Sequence, residues 1–168
     1  MKMLVEKLKS RFAEAITPGD TSRGEEVVLV PRERAIEIFH ALHDEADFAF
    51  NFLTDLSAVD WLKREPRFEV IYNLNSLTHN HRLRVKVPLP GDEAWTYSVV
   101  ELWSAANWLE RECYDMFGIE FRGHPDLRRI LMYDSFVGHP LRKDYPYNKR
   151  QPVVDEVNPV INPRHMSR

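Results

Sequence analysis

Arg67-Phe68-Glu69-Val70-Ile71-Tyr72-Asn73-Leu74 and Arg82-Leu83-Arg84-Val85-Lys86-Val87 are the two runs whose reading decides the fold. In each, large apolar residues take every second position, which gathers them on one face of an extended chain. Asn75 to Asn80 between them is short and polar, so the runs read as adjacent antiparallel strands. The opposite face of the second run carries Arg82, Arg84 and Lys86, so that side of the sheet meets water or a partner rather than a covering helix.

Working toward the N-terminus, Phe48 to Trp61 mixes aromatic and branched residues with Asn51, Asp55 and Asp60, giving one strand or two short ones. Before it, Ala35, Ile36, Phe39, Leu42 and Ala46 form an apolar stripe after Pro31, which suits the first turn of a helix. A strand is expected over Glu25 to Val30, and a first short helix from Leu4, Leu8, Phe12 and Ala15, broken at Thr17-Pro18-Gly19-Asp20.

Toward the C-terminus, Pro88-Leu89-Pro90-Gly91-Asp92 is a break. Ser98-Val99-Val100-Glu101 has capping-box spacing, which predicts a helix starting there. Val99, Leu102, Trp103, Ala106, Leu109, Cys113 and Phe117 continue it as an apolar stripe that Gly118 ends. After Met132 the periodicity dissolves, and Pro140, Pro146, Pro152, Pro159 and Pro163 recur. The expected architecture is α+β: a mostly antiparallel sheet with helices packed on one face over residues 1–132, then an extended irregular C-terminal arm, 133–168, docking on a partner.

The composition bounds the function. With 168 residues, 43% hydrophobic and 29% charged, the chain suits one soluble domain. A pI near 6.2 lacks the basic footprint of a nucleic-acid binder, although residues 122–150 hold seven Lys/Arg against three acids. The single cysteine, Cys113, excludes an internal disulfide and a self-contained thiolate-ligated cluster, and its place on the apolar stripe makes it a core residue. The histidine pairs His40/His43 and His79/His81 lack further visible ligands for a metal. No glycine-rich strand-to-helix turn is present to cradle a nucleotide, and neither a signal peptide nor a membrane span is evident.

The densest chemistry lies in Asn107-Trp108-Leu109-Glu110-Arg111-Glu112-Cys113-Tyr114-Asp115-Met116-Phe117-Gly118-Ile119. Neighbouring acids on one helix do not flank a substrate from opposite sides, so Glu110, Glu112 and Asp115 do not make a carboxylate pair for glycoside chemistry. They are expected, with Arg111, to form an ion-pair network with Arg128, Arg129, Arg142 or Lys143. Trp108 and Tyr114 fall off the main stripe, which points them toward an interface. A freestanding enzyme using Glu112, Asp115 and His124 as acid or base is the reading from a different class.

That stretch, followed by Gly123-His124-Pro125-Asp126-Leu127-Arg128-Arg129-Ile130-Leu131-Met132 and Gly138-His139-Pro140-Leu141-Arg142-Lys143-Asp144-Tyr145-Pro146, resembles the signature of the 30-kDa subunit family of bacterial NADH:quinone oxidoreductase, respiratory complex I. Leu53 to Asp60 resembles an earlier family segment. The resemblance implies a peripheral-arm subunit on the cytoplasmic side of the bacterial inner membrane, without a redox centre, in a proton-translocating complex whose NADH, FMN, iron–sulfur clusters and quinone are handled by other subunits. It implies docking on the 49-kDa subunit, membrane association only through the complex, and no nucleic acid as partner. Glu110, Arg111, Glu112, Tyr114, Asp115, His124, Arg128, Arg129, His139, Arg142, Lys143 and Asp144 are then the signature and interface residues, with no catalytic, cofactor-binding or metal residue among them. Related membrane-bound hydrogenases and ferredoxin-linked complexes carry similar subunits and form the nearest alternative. A chain ending at Arg168 is expected to be separate from the 49-kDa protein rather than fused to it.

Overall fold

The computed structural model describes residues 3–20 and 25–151; the expectations for Pro152, Pro159 and Pro163 fall outside them. The two deciding runs form β4 (Phe68–Ser76) and β5 (His81–Leu89), an antiparallel pair with Tyr72 opposite Val85 and Val70 opposite Val87. Phe68, Val70, Tyr72, Leu74, Leu83, Val85, Val87 and Leu89 are all buried, as the alternation requires. On the far side of β4, β3 (Phe52–Asp60) pairs antiparallel. On the far side of β5, β2 (Glu26–Leu29) pairs parallel, and β1 (Thr17–Pro18) closes that edge antiparallel, giving the order β1-β2-β5-β4-β3. The fold is thus α+β with a mostly antiparallel sheet, followed from residue 123 to 151 by a segment without regular elements.

The stretch Phe48 to Trp61, open in sequence between one strand and two, forms a single strand whose register shifts between Leu53 and Asp55. Leu53 and Leu56 are three apart and would face opposite sides of a regular strand. The irregularity turns both inward, against Leu74 and Tyr72, and brings Asp60 to the buried side opposite Phe68.

Helices α1 (Met3–Phe12), α2 (Arg32–Asp44) and α3 (Ala106–Phe117) bury Leu8, then Ala35, Ile38, Phe39 and Leu42, then Ala106, Cys113 and Phe117 in one continuous core with the inward sheet face. Each such large aliphatic or aromatic side chain withdrawn from water contributes roughly 1.5–3 kcal/mol before the opposing conformational entropy is subtracted. Pro31 precedes α2 as its cap rather than entering the first turn, and α2 ends at Asp44, short of Ala46. The outward sheet face is polar: Lys86 pairs with Glu69 at 3.1 Å, and Arg84 with Glu25 at 2.8 Å.

One expectation fails clearly. No helix begins at Ser98; residues 100–105 are mostly turns and α3 starts at Ala106. Leu102 and Trp103 both donate their amides to the Val99 carbonyl, closing a turn that is not propagated. The Val99 amide goes to Glu110 Oε1 at 2.7 Å, so the glutamate that satisfies it comes from within α3 and not from Glu101. Three strands lack any counterpart in the sequence expectations: β1, which falls in the stretch read as a break, and β6 (Trp95–Tyr97) and β7 (Glu120–Arg122), which precede and follow α3 and pair in parallel. Strands of two or three residues are too short to show an alternation.

Candidate functional site: the α3 helix and the segment it anchors

Asp115 lies fully buried in the last turn of α3. Its Oδ2 accepts the amides of Ile130, Leu131 and Met132 at 3.1, 2.8 and 2.8 Å, and its Oδ1 accepts Arg129 Nη1 at 2.8 Å. Burial pushes this carboxyl upward, but the three amides and the guanidinium together outweigh it and hold the group below its ordinary value. Arg111 adds two bonds from one turn earlier, donating to the carbonyls of Arg128 and Arg129. The network expected from sequence thus comes down to one ion pair, Asp115–Arg129, surrounded by backbone bonds that clamp residues 128–132 to the helix.

The segment beyond is held by a second carboxylate. Asp60 takes the Arg67 guanidinium on both oxygens, at 2.9 and 2.8 Å, and Oδ2 also accepts the Lys143 amide at 2.9 Å. Arg67 reaches on to Asp144 at 2.9 Å. Chiefly through Arg67, Asp60 is held far below the usual carboxylate range. Between these anchors the His139 ring donates from Nδ1 to the Asp115 carbonyl, Arg129 donates to the Gly138 carbonyl, and Arg142 Nε donates to the Phe117 carbonyl. Gly118 makes this crossing possible. It caps α3 at φ 71°, and a Cβ there would lie 2.5 Å from His139 Nε2.

The remaining signature residues divide. His124 is locked in place, Nδ1 accepting the Asp126 amide and Nε2 therefore donating to the Asn107 carbonyl. Tyr114 is half-buried, edge-on to His139. Arg128 pairs with Asp126 on the surface. Glu112 is exposed and, among the described residues, makes no ion pair, and the Lys143 side chain likewise makes none. Asp115 has both oxygens committed and both His124 nitrogens are engaged, so Glu112, Asp115 and His124 do not form an acid–base constellation. Asp60 and Arg67 carry no signal of this role in the sequence, because it rests on a segment more than seventy residues away.

Glu110 corrects the expectation most sharply. Among the described residues it has no cationic partner, and it lies fully buried while Leu109, its neighbour on the expected stripe, is only half-buried. Its Oε2, the Tyr72 hydroxyl and the Thr96 hydroxyl are buried without hydrogen-bond partners among the described residues. Burial, opposed by the Val99 amide and the Ser98 hydroxyl, pushes the Glu110 carboxyl up to about 7. Burial likewise raises the Cys113 thiol, next to the Leu56 carbonyl, leaving it un-ionised and inert. Among the described residues no group of three or more His, Cys, Asp or Glu is placed to hold a metal.

The family model described as "Respiratory-chain NADH dehydrogenase, 30 Kd subunit" matches residues 28–151, a span that takes in most of the sheet, α3 and both carboxylate anchors. The chain belongs to that 30-kDa subunit family. The matching NADH-quinone oxidoreductase subunit of Citrifermentans bemidjiense is 51% identical over 142 residues, covering 84% of this chain and 87% of the relative. The same subunit of Geobacter sulfurreducens is 50% identical over 141 residues, covering 83% and 86%. Among solved structures, the trypsin-resistant fragment (1-134) of Nqo5 superposes with a TM-score of 0.66 at 38% identity, covering 74% of this chain and 98% of the fragment. A chain of an archaeal membrane-bound sulfane sulfur reductase shares the fold at a TM-score of 0.73 and 22% identity, covering 88% and 86%. As a 30-kDa-family member the chain is a subunit of the NADH-quinone oxidoreductase of the respiratory chain, complex I. Among the described residues no helix is long and apolar enough to cross a membrane.

Proposed function

We propose that this chain is a structural subunit of the peripheral arm of a proton-translocating complex I, carrying no redox centre, and that α3 and the segment after it dock on the 49-kDa subunit. Electrons pass from NADH through FMN and iron–sulfur clusters to quinone on other subunits, and the isolated chain is inactive. The chain sits on the cytoplasmic side of the bacterial membrane and is held there only through its partners.

One observation carries the docking reading. Of the nine large hydrophobic side chains exposed among the described residues, six lie on α3 and the segment beyond it: Trp108, Leu131, Tyr133, Val137, Leu141 and Tyr147. Such concentration in one part of the chain, with Trp108 61% and Tyr147 99% exposed, marks an association surface rather than scattered exposure. The anchors at Asp115 and Asp60 hold the base of that surface, and residues 133–168 are the arm that the partner completes.

The test is assembly against turnover. Asp115→Asn replaces one of the two accepting oxygens by an amide donor, set against either Arg129 or the three backbone amides. It should reduce the amount of complex recovered from detergent-solubilised membranes while NADH:quinone turnover per assembled complex stays unchanged. Full assembly with lost turnover would place the residue in the reaction and overturn the structural reading. The fold shared with the sulfane sulfur reductase chain does not choose an electron donor. Co-purification of a flavin-bearing NADH-oxidising subunit separates complex I from a hydrogenase-type or ferredoxin-linked assembly.

A further inference from the structure

A cleft of about 830 Å³ opens between the start of α2, β6, β7 and the arm, and three guanidinium groups line it: Arg32, Arg122 and Arg142. They differ in what neutralises them. Arg32 is engaged within the chain, with Glu33 at 2.9 Å, the Glu93 carbonyl at 2.8 Å and the Glu93 carboxylate at 3.5 Å. Arg122 lies 3.6 Å over the Trp95 ring, and its nearest carboxylate is Glu120 at 3.8 Å, itself exposed to water. Arg142 gives Nε to the Phe117 carbonyl and rests over the Phe68 ring, yet among the described residues no carboxylate pairs with it. Partial burial and the nearby Arg67 both lower its pKa, although Asp144 and Asp60 work the other way. A guanidinium withdrawn from water without a close counter-ion costs folding energy that a bidentate carboxylate recovers. Three carboxylates of the chain also line the cleft, Asp92, Glu93 and Glu120, all of them exposed to water. Glu93 is taken up with Arg32 and Glu120 lies nearest Arg122, which leaves Arg142 as the guanidinium without an ion-pair partner among the described residues.

We propose that this cleft receives an acidic side chain, Asp or Glu, from the protein on which the arm docks, its carboxylate gripped in the fork of Arg142 and backed by Arg122 over the Trp95 ring. This rests on the docking reading above and names its specificity element. A polypeptide carboxylate fits better than a free anion because the residue before Arg142 in the chain, Leu141, is an apolar side chain left 53% exposed, which a protein partner would cover and a free anion would not. Gly118 lines the same cleft, and a Cβ there would come within 2.8 Å of Arg142 Nη2, so glycine is what lets the guanidinium reach its position.

The test uses the assembled complex. Arg142→Lys keeps a point charge and sets a primary amine in the cleft, where a zero-length carbodiimide reagent couples it to any carboxylate in contact. The expected result is a crosslinked peptide, found by mass spectrometry, joining position 142 to an Asp or Glu of another protein of the complex. A crosslink only to carboxylates of this chain, such as Asp60, Asp92, Glu93, Glu120 or Asp144, or none at all, overturns the proposal. Retention of the chain under rising sodium chloride gives a second arm: Arg142→Gln should shorten its residence about tenfold or more, and Arg122→Gln should act in the same direction with a smaller effect. Among the described residues Arg122 makes no side-chain bond to the arm, so its effect cannot come from a loosened arm. If both variants are retained like the parent chain while Asp115→Asn is lost, the docking reading stands and the cleft proposal falls. If Asp115→Asn is retained as well, the docking reading itself fails.

Discussion

Replacing Glu110 by glutamine should flatten the dependence of this protein's stability on pH across the weakly acidic range. The Glu110 carboxyl, ordinarily near 4.5, is pushed to about 7 in the folded chain. A raised acid binds its proton more tightly when folded, so its stabilising contribution is complete below about 4.5 and is lost as pH climbs to about 7, beyond which nothing further changes. At about 1.4 kcal/mol per unit, that displacement corresponds to roughly 3 kcal/mol lost between those limits. Glu110→Gln retains an oxygen to accept the Val99 amide and removes the ionisation. Asp115 and Asp60 are held below their ordinary 3.8, so they are ionised throughout this window and contribute no slope. Burial lowers His139 below its ordinary 6.5, which favours folding as pH rises through that value; both proteins share this contribution and it cancels in the comparison. Urea denaturation followed by circular dichroism at intervals from about pH 4.5 to 8 supplies the curves. The variant should gain on the parent by roughly 3 kcal/mol over the window. Parallel curves would show that Glu110 ionises normally and would refute the reasoning.

Removing the Asp115 carboxylate altogether, as in Asp115→Ala, strands Arg129 and three amides and should cost about 3–5 kcal/mol in chemical denaturation. Asp60→Asn should free residues 139–145, seen as faster tryptic cleavage after Arg142 and Lys143 with the sheet domain still folded; unchanged cleavage would mean that Asp60 does not hold them. In the free chain, limited proteolysis should cut first beyond Asp134, where completion by a partner is proposed, and preferential cleavage within the sheet domain would count against this. Trp108→Ala should leave stability within about 0.5 kcal/mol, as for an exposed side chain, yet reduce assembly of the complex.

Periodicity carried what the sequence settled alone. Alternation over Phe68–Leu74 and Leu83–Val87 determined the central strand pair and its buried face, the stripes around Phe39 and Cys113 determined two helices, and Gly118 marked the end of one of them. These follow from local geometry, where two or about 3.6 residues per repeat decide which side chains share a face. Three spaced motifs further determined the family, although periodicity has no part in that. Tertiary structure decided the rest. Asp60 bonds a residue 83 positions away, β6 and β7 are too short to announce themselves, and the register shift after Leu53 hides which side of β3 faces inward. The acidic run in α3 looks uniform in sequence, yet Glu110 is buried in the core and keeps its proton toward neutral pH, Glu112 is in water, and Asp115 is buried as an anion. Which of these a carboxylate becomes depends on the amides and guanidinium groups that the folded chain brings to it, because a buried charge persists only where enough donors converge to replace water.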